Sequence, residues 1–347
     1  MMPRVTIAEG LEISRLIKGG WHLAGGHGAV DAEAAQRDLA AFIDAGITAI
    51  SCSDIYIGVE ELVGHFRRRY PRHARRLEVL TGLVPDLHDL ERVGRADIEA
   101  GIDRSLQRLG LEQLQLVQFH WWDYSVPRYV EIALELERLR QAGKIAHVGV
   151  SNFDVPRLTE LVNAGVKIAT QQIQYSLLDR RPEAGMSEYC QAQGIAILAF
   201  GTMAGGFISE RWLGQPEPVG ELLNRSLTKY RLIIDEFGGW PLFQRLLITL
   251  RRIADKHGVD IASVATRSIL DRPGVAAAIV GATNISHLEA HGRIATLQLD
   301  DEDRASLAAI ERLSTGPGGD IYTLERDLEG VHGGIMRIMK QDLGRGP

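Results

Sequence analysis

The chain has 347 residues, 45% hydrophobic and 24% charged, an ordinary globular balance that excludes a disordered or fibrous protein. Its 39 Lys and Arg against 45 Asp and Glu leave a net charge of -6 with no basic run dense enough to follow a phosphate backbone, so nucleic acid is not expected as a partner. Two cysteines, Cys52 and Cys190, are too few for a disulfide framework and lack the spacing of a zinc site; with no signal-peptide core and no run near the ~18 apolar residues of a membrane span, a cytoplasmic protein without metal or membrane contact is expected.

Along the chain, short apolar runs alternate with longer amphipathic stretches. Strands are predicted at 15–20, 48–51, 77–81, 114–120, 145–150, 169–174, 195–200 and 276–281, and helices at 31–45, 58–69, 95–109, 130–142, 155–164 and 261–270. The length fits two ~150-residue domains or one barrel of roughly 250 residues with additions. Strict βα alternation favours an α/β fold of the (β/α)8 TIM-barrel type over an open sheet, with the barrel over 1–313 and a C-terminal extension over 314–347. Two segments exceed what a barrel needs: a long loop after the seventh strand, from about Met203 to Trp240, and the tail, where GPGGD breaks the chain before 321–340.

Barrel sites gather at the C-terminal ends of strands, and those positions are rich in polar and aromatic residues. SCSDIYIGVEELVG follows the second strand, LTGLVPDL the third, FHWWDYS the fourth, VGVSNFD the fifth, QQIQYSLLDRR the sixth and AFGTMAGGF the seventh. From Ile13 to Leu313 this series resembles the aldo-keto reductase family. The resemblance implies a nicotinamide cofactor, NADP or NAD, extended across the barrel mouth, a small-molecule carbonyl substrate, and a catalytic Asp, Tyr, Lys and His. Tyr56 and His120 match the Tyr and His. Ser51 stands at the Asp position, five residues before the Tyr, and Gly82 at the Lys position.

Implied cofactor contacts are Ser151, Asn152 and Gln172 to the carboxamide, Phe200 stacking on the nicotinamide, and Gly20 and Trp21 in the first loop. Gly201, Met203 and Gly205 lie in a small-residue turn for the pyrophosphate, and Gly281, Thr283, His287 and His291 in the adenosine segment IVGATNISHLEAH. Thr283 stands where many relatives carry an Arg for the 2′-phosphate, and His291 where they carry an Asn, which weakens a preference for NADP.

The two replacements change the expected chemistry, because a tyrosine without a nearby cation titrates near ~10 and is almost wholly protonated at neutral pH. Asp54 is a candidate replacement for the acid, and no residue presents itself for the ammonium. Tyr56 and His120 are expected beside Ser51 and Gly82 in one neutral pocket. Trp121, Trp122 and Trp240 serve as pocket walls or core. Cys52 reads as a small buried hydrophobe, and the basic run from Arg67 to Arg76 as a solvated loop on the far face. The sequence therefore favours an NAD(P)H-dependent reductase with an incomplete tetrad. The alternatives are a non-redox dehydratase, isomerase or lyase using Tyr56 and His120, with the cofactor absent or structural, and a catalytically silent nucleotide-binding protein. Nothing in the sequence sets an oligomeric state or a substrate.

Overall fold

The computed structural model describes residues 2–25, 28, 30–281 and 284–336. A hairpin comes first, β1 (Arg4–Ala8) and β2 (Leu11–Ser14), followed by eight parallel strands: β3 (Leu16–Gly19), β4 (Ala49–Ser51), β5 (Glu78–Leu83), β6 (Leu114–His120), β7 (Ile145–Ser151), β8 (Ile168–Gln174), β9 (Ala196–Phe200) and β10 (Val275–Val280). They close in sequence order, with β10 pairing β3. The eight predicted barrel strands are all present, each with ends within two residues of the expected ones.

Helices α1 (Ala32–Asp44), α2 (Val59–Arg69), α3 (Pro71–Ala74), α4 (Arg95–Leu109), α5 (Tyr129–Gln141), α6 (Val155–Asn163) and α7 (Met186–Gln193) fill the first six crossovers. Their starts are locally specified: the carboxylate of Asp31 accepts from the backbone N–H groups of Glu33 and Ala34, and Asp154 caps α6 ahead of Pro156. The last crossover differs from expectation. Instead of one loop and one helix, β9 and β10 are joined through α8 (Arg225–Phe237), α9 (Gly239–His257) and α10 (Ile261–Leu270), which build a second core of their own around Ile234, Phe243, Leu246 and Leu250. After β10 come α11 (Leu288–Thr296), α12 (Asp301–Glu311) and a tail that includes α13 (Thr323–Arg326).

The hairpin was not predicted, although VTIAEGLEIS alternates about a Gly10 at φ 72. It packs Ile7, Leu11 and Ile13 against Ile17, Ala49, Leu80, Leu116, Leu198 and Ala277, the apolar layer inside the barrel, and so plugs the end opposite the strand tips. Side chains alternate along a strand, so two residues beyond that layer the same inner face carries Gly19, Ser51, Gly82, Gln118, Phe200 and Ile279. The barrel interior changes from apolar to polar at that level. Among the described residues, no helix is long and apolar enough to cross a membrane, and no group of three or more His, Cys, Asp or Glu could hold a metal ion.

Candidate active site

One cavity of about 730 Å3 opens at the strand tips. Its lining includes Ser51, Tyr56, Gly82 and His120, together with Gly20, Trp21, Ser151, Asn152, Gln172, Phe200, Gly201, Met203, Gly205, Gly281, His287 and His291. Thr283 lies outside the described residues.

His120 ends β6 and is buried. Its Nδ1–H donates to the Ser151 carbonyl at 2.9 Å, because a carbonyl can only accept, and this leaves Nε2 as a bare lone pair with no partner. The ring is held edge-on by Trp122 at 4.4 Å and Tyr322 at 5.6 Å. Burial, reinforced by the positive charges of Arg326 and Lys229, pulls its pKa down to about 3, so it is neutral at physiological pH. Tyr56 is half-buried, edge-on to Trp21 at 5.2 Å, and its hydroxyl makes no hydrogen bond among the described residues. Burial pushes its pKa up to about 12, with the nearby Cys52 adding to the shift.

No open space lies beside Gly82. A Cβ on Gly82 would lie 2.6 Å from Ser53 Oγ, so Ser53 occupies the space where a longer side chain would start. Asp54 is not the substitute acid: it is buried outside the cavity lining and accepts the Val84 backbone N–H at 3.0 Å, tying the loop after β4 to the end of β5. Cys52 is buried and its thiol is pushed up by burial, which fits an inert small hydrophobe. Trp122 lines the cavity beside Trp21, whereas Trp121 is core and Trp240 belongs to the second core.

Several glycines have a structural reason for lacking a side chain. A Cβ on Gly20 would meet the Ser51 carbonyl at 2.6 Å, one on Gly201 the Tyr230 hydroxyl at 2.1 Å, and one on Gly281 the His22 ring at 2.4 Å. Packing of the chain on itself demands a glycine at these positions independently of any cofactor.

The largest departure from the sequence reading is what the insertion and the tail bring. From α8 come Lys229 and Tyr230, and from the tail come Tyr322, Ile335 and Met336; all five line the cavity. Tyr322 sits at φ 62, a left-handed conformation unusual for an aromatic residue, and is buried between His120 and Lys229. The tail is anchored by charge: Arg181 donates to both oxygens of Glu325 at 2.9 and 3.0 Å and to both oxygens of Asp179 at 2.9 and 2.6 Å, all three side chains being buried. Arg326 donates to the carbonyls of Trp121 and Asn152 and stacks over Tyr124 at 4.2 Å. An ammonium is therefore present in the pocket, on the wall opposite to where a strand would have supplied it. The sequence signal was only that both segments exceed a barrel's needs.

A closed parallel barrel with polar side chains gathered at its strand tips defines the class of (β/α)8 barrels whose sites lie at the C-terminal mouth. Residues 15–312 match the Aldo/keto reductase family, and the chain belongs to that family of oxidoreductases. It is 29% identical to the aldo-keto reductase YhdN of Bacillus subtilis, over 89% of this chain and 93% of that protein. It is 26% identical to the methylglyoxal reductase YeaE of Escherichia coli, over 87% and 91%. The glycerol dehydrogenase AKR11B4 of Gluconobacter oxydans superposes with a TM-score of 0.76 at 24% identity, covering 92% of this chain and 97% of that one, which shows a shared fold.

Proposed function

We propose that the chain reduces small carbonyl compounds, with NADPH or NADH bound across the barrel mouth as hydride donor. The observation that carries this reading is a set of groups on one cavity: the Tyr56 hydroxyl, and His120 Nε2 and the buried Oδ1 of Asn152, which have no hydrogen-bond partner among the described residues. An orphaned amide oxygen beside the half-buried Ser151 and Gln172, with the half-buried Phe200 ring on the same rim, suits a carboxamide and a flat ring, so the residues fit a nicotinamide. Bound reduced nicotinamide supplies the hydride. Tyr56 supplies the proton to the carbonyl oxygen, as a weak acid. His120, committed through Nδ1–H to Ser151, accepts at Nε2 and so holds a hydroxyl, the product alcohol's included. With Tyr56 at about 12, only about one part in 100,000 is phenolate at pH 7, so alcohol oxidation is the slower direction.

Titration of nicotinamide fluorescence tests the first half, and NADPH consumption with 4-nitrobenzaldehyde the second. Binding of both cofactors is expected, with a preference for NADPH below about a hundredfold, or about 2.7 kcal/mol. A larger preference would show that a guanidinium such as Arg211, which also lines the cavity, takes the 2′-phosphate. Tyr56→Phe should lower the rate at least about a hundredfold. Absence of binding and of consumption would leave the second reading, non-redox acid–base chemistry, which the bare Nε2 and neutral Tyr56 favour.

A further inference from the structure

Lys229 is the charged group in the cavity that neither the fold nor the tetrad comparison explains. Its side chain keeps 16% of its surface exposed, toward the cavity it lines. The ammonium lies over three rings, Tyr322 at 5.3 Å, Phe200 at 5.5 Å and Tyr230 at 5.7 Å. Its single carboxylate contact among the described residues, Glu325 Oε1, is 3.8 Å away, beyond hydrogen-bond reach, and both oxygens of Glu325 are already taken by Arg181. The ammonium therefore donates no hydrogen bond among the described residues, and the aromatic faces compensate only part of its lost hydration.

The neighbouring carboxylates Glu325 and Asp179 oppose the loss of a proton from this ammonium. Arg181 and Lys229 balance Asp179 and Glu325, so the buried cluster is neutral only while Lys229 is protonated. Burial draws its pKa down, and Glu325 opposes that shift. Together with Arg326 it also makes the potential at His120 positive.

We propose that Lys229 anchors a carboxylate on the substrate: the cavity takes an aldehyde or ketone that bears a carboxylate a few bonds from its carbonyl. The two ends are set by one ring, since His120 and Lys229 both lie against Tyr322. A carbonyl presented to the Tyr56 hydroxyl leaves the rest of the molecule between Tyr230 and Tyr322, with its anionic end at the ammonium. One ammonium matches the single charge of a carboxylate and only half the charge of a phosphate dianion. This inference rests on the reductase reading for the carbonyl end and on Lys229 alone for the anionic end.

The test compares 4-carboxybenzaldehyde with 4-carbamoylbenzaldehyde, equal in shape and different in charge, in wild type, Lys229→Met and Lys229→Arg. In wild type kcat/KM should favour the carboxylate at least tenfold; Lys229→Met should bring the ratio to about one, and Lys229→Arg should retain part of it, each ratio being taken at saturating NADPH. A second readout needs no turnover: calorimetric binding of 4-(hydroxymethyl)benzoate against 4-(hydroxymethyl)benzamide. If neither aldehyde is reduced but the benzoate preference exists and disappears in Lys229→Met, the anion subsite stands and the reductase reading fails. Equal handling of the two compounds by wild type, or a preference that survives in Lys229→Met with only a loss of melting temperature, would overturn the proposal and reduce Lys229 to a counter-ion for Glu325. If Lys229→Met does not fold, Lys229→Gln carries the same comparison.

Discussion

At the scale of single residues, burial sets the protonation of the site, and the sign of each shift gives a testable pH dependence. His120 at about 3 and His291 at about 4 both lie below the ordinary histidine value of ~6.5. Above pH 6.5 neither the native nor the unfolded chain binds these protons. As pH falls below 6.5 the unfolded chain takes them up and the native chain does not, so stability is lost down to about pH 4 for His291 and pH 3 for His120. The slope approaches about 1.4 kcal/mol per pH unit for each histidine. Urea midpoints measured at pH 7 and 4.5 should therefore converge in His120→Gln/His291→Gln relative to wild type; an unchanged gap would mean the two rings are solvated.

At Ser51 and Gly82 a single neighbouring side chain, Ser53, decides what can be introduced. Ser51→Asp with Gly82→Lys would rebuild both charges, but the new Cβ meets Ser53 Oγ at 2.6 Å, an overpacking that costs about 1–3 kcal/mol. Adding Ser53→Gly removes the obstruction. The triple variant should recover melting temperature over the double one, and the rebuilt ammonium should bring the Tyr56 pKa down from about 12, seen as an ultraviolet phenolate titration at lower pH.

At the scale of elements, legibility followed locality. The barrel strands could be read because their period-two pattern is local, and that same period carried Ser51, Gly82, His120, Gln172 and Phe200 to the tips. Helix α9 was legible and missed, since Leu242, Leu246, Leu250 and Ile253 recur at helical spacing. Lys229, Tyr322 and Glu325 were not legible, because nothing local to SLTKY or GGDIYTLER says where either segment docks. Their meeting depends on Arg181, some 140 positions before Glu325 in the chain. That bridge should be expensive to break: Glu325→Gln leaves Arg181 buried with Asp179 alone and should cost about 3–5 kcal/mol. Hydrogen exchange should show the loss as faster exchange across 314–336, with the strands β5 to β8 unaffected.

At the scale of the whole molecule, the chain closes both ends of its barrel with segments from its two extremities, the hairpin below and the tail above. The lower closure is apolar and belongs to stability; the upper one is charged and aromatic and touches the site. Tyr322 packs edge-on to His120, Arg326 adds positive charge nearby, and burial together with that charge holds the imidazole at about 3. A chain ending at Leu313 keeps every barrel strand, and Arg181 keeps Asp179 as its partner, so it should fold with a lowered melting temperature and bind NADPH within a few-fold of the full chain. With Tyr322 and Arg326 gone, both causes of the depressed histidine value weaken, and His120 should titrate closer to ~6.5. A histidine resonance titrating between pH 5 and 7 in the truncated chain, missing from the full chain and abolished by His120→Gln, is the expected result. If His120 stays neutral to pH 4 after truncation, the walls of the barrel alone desolvate it, and the tail shapes the substrate end without tuning the proton chemistry.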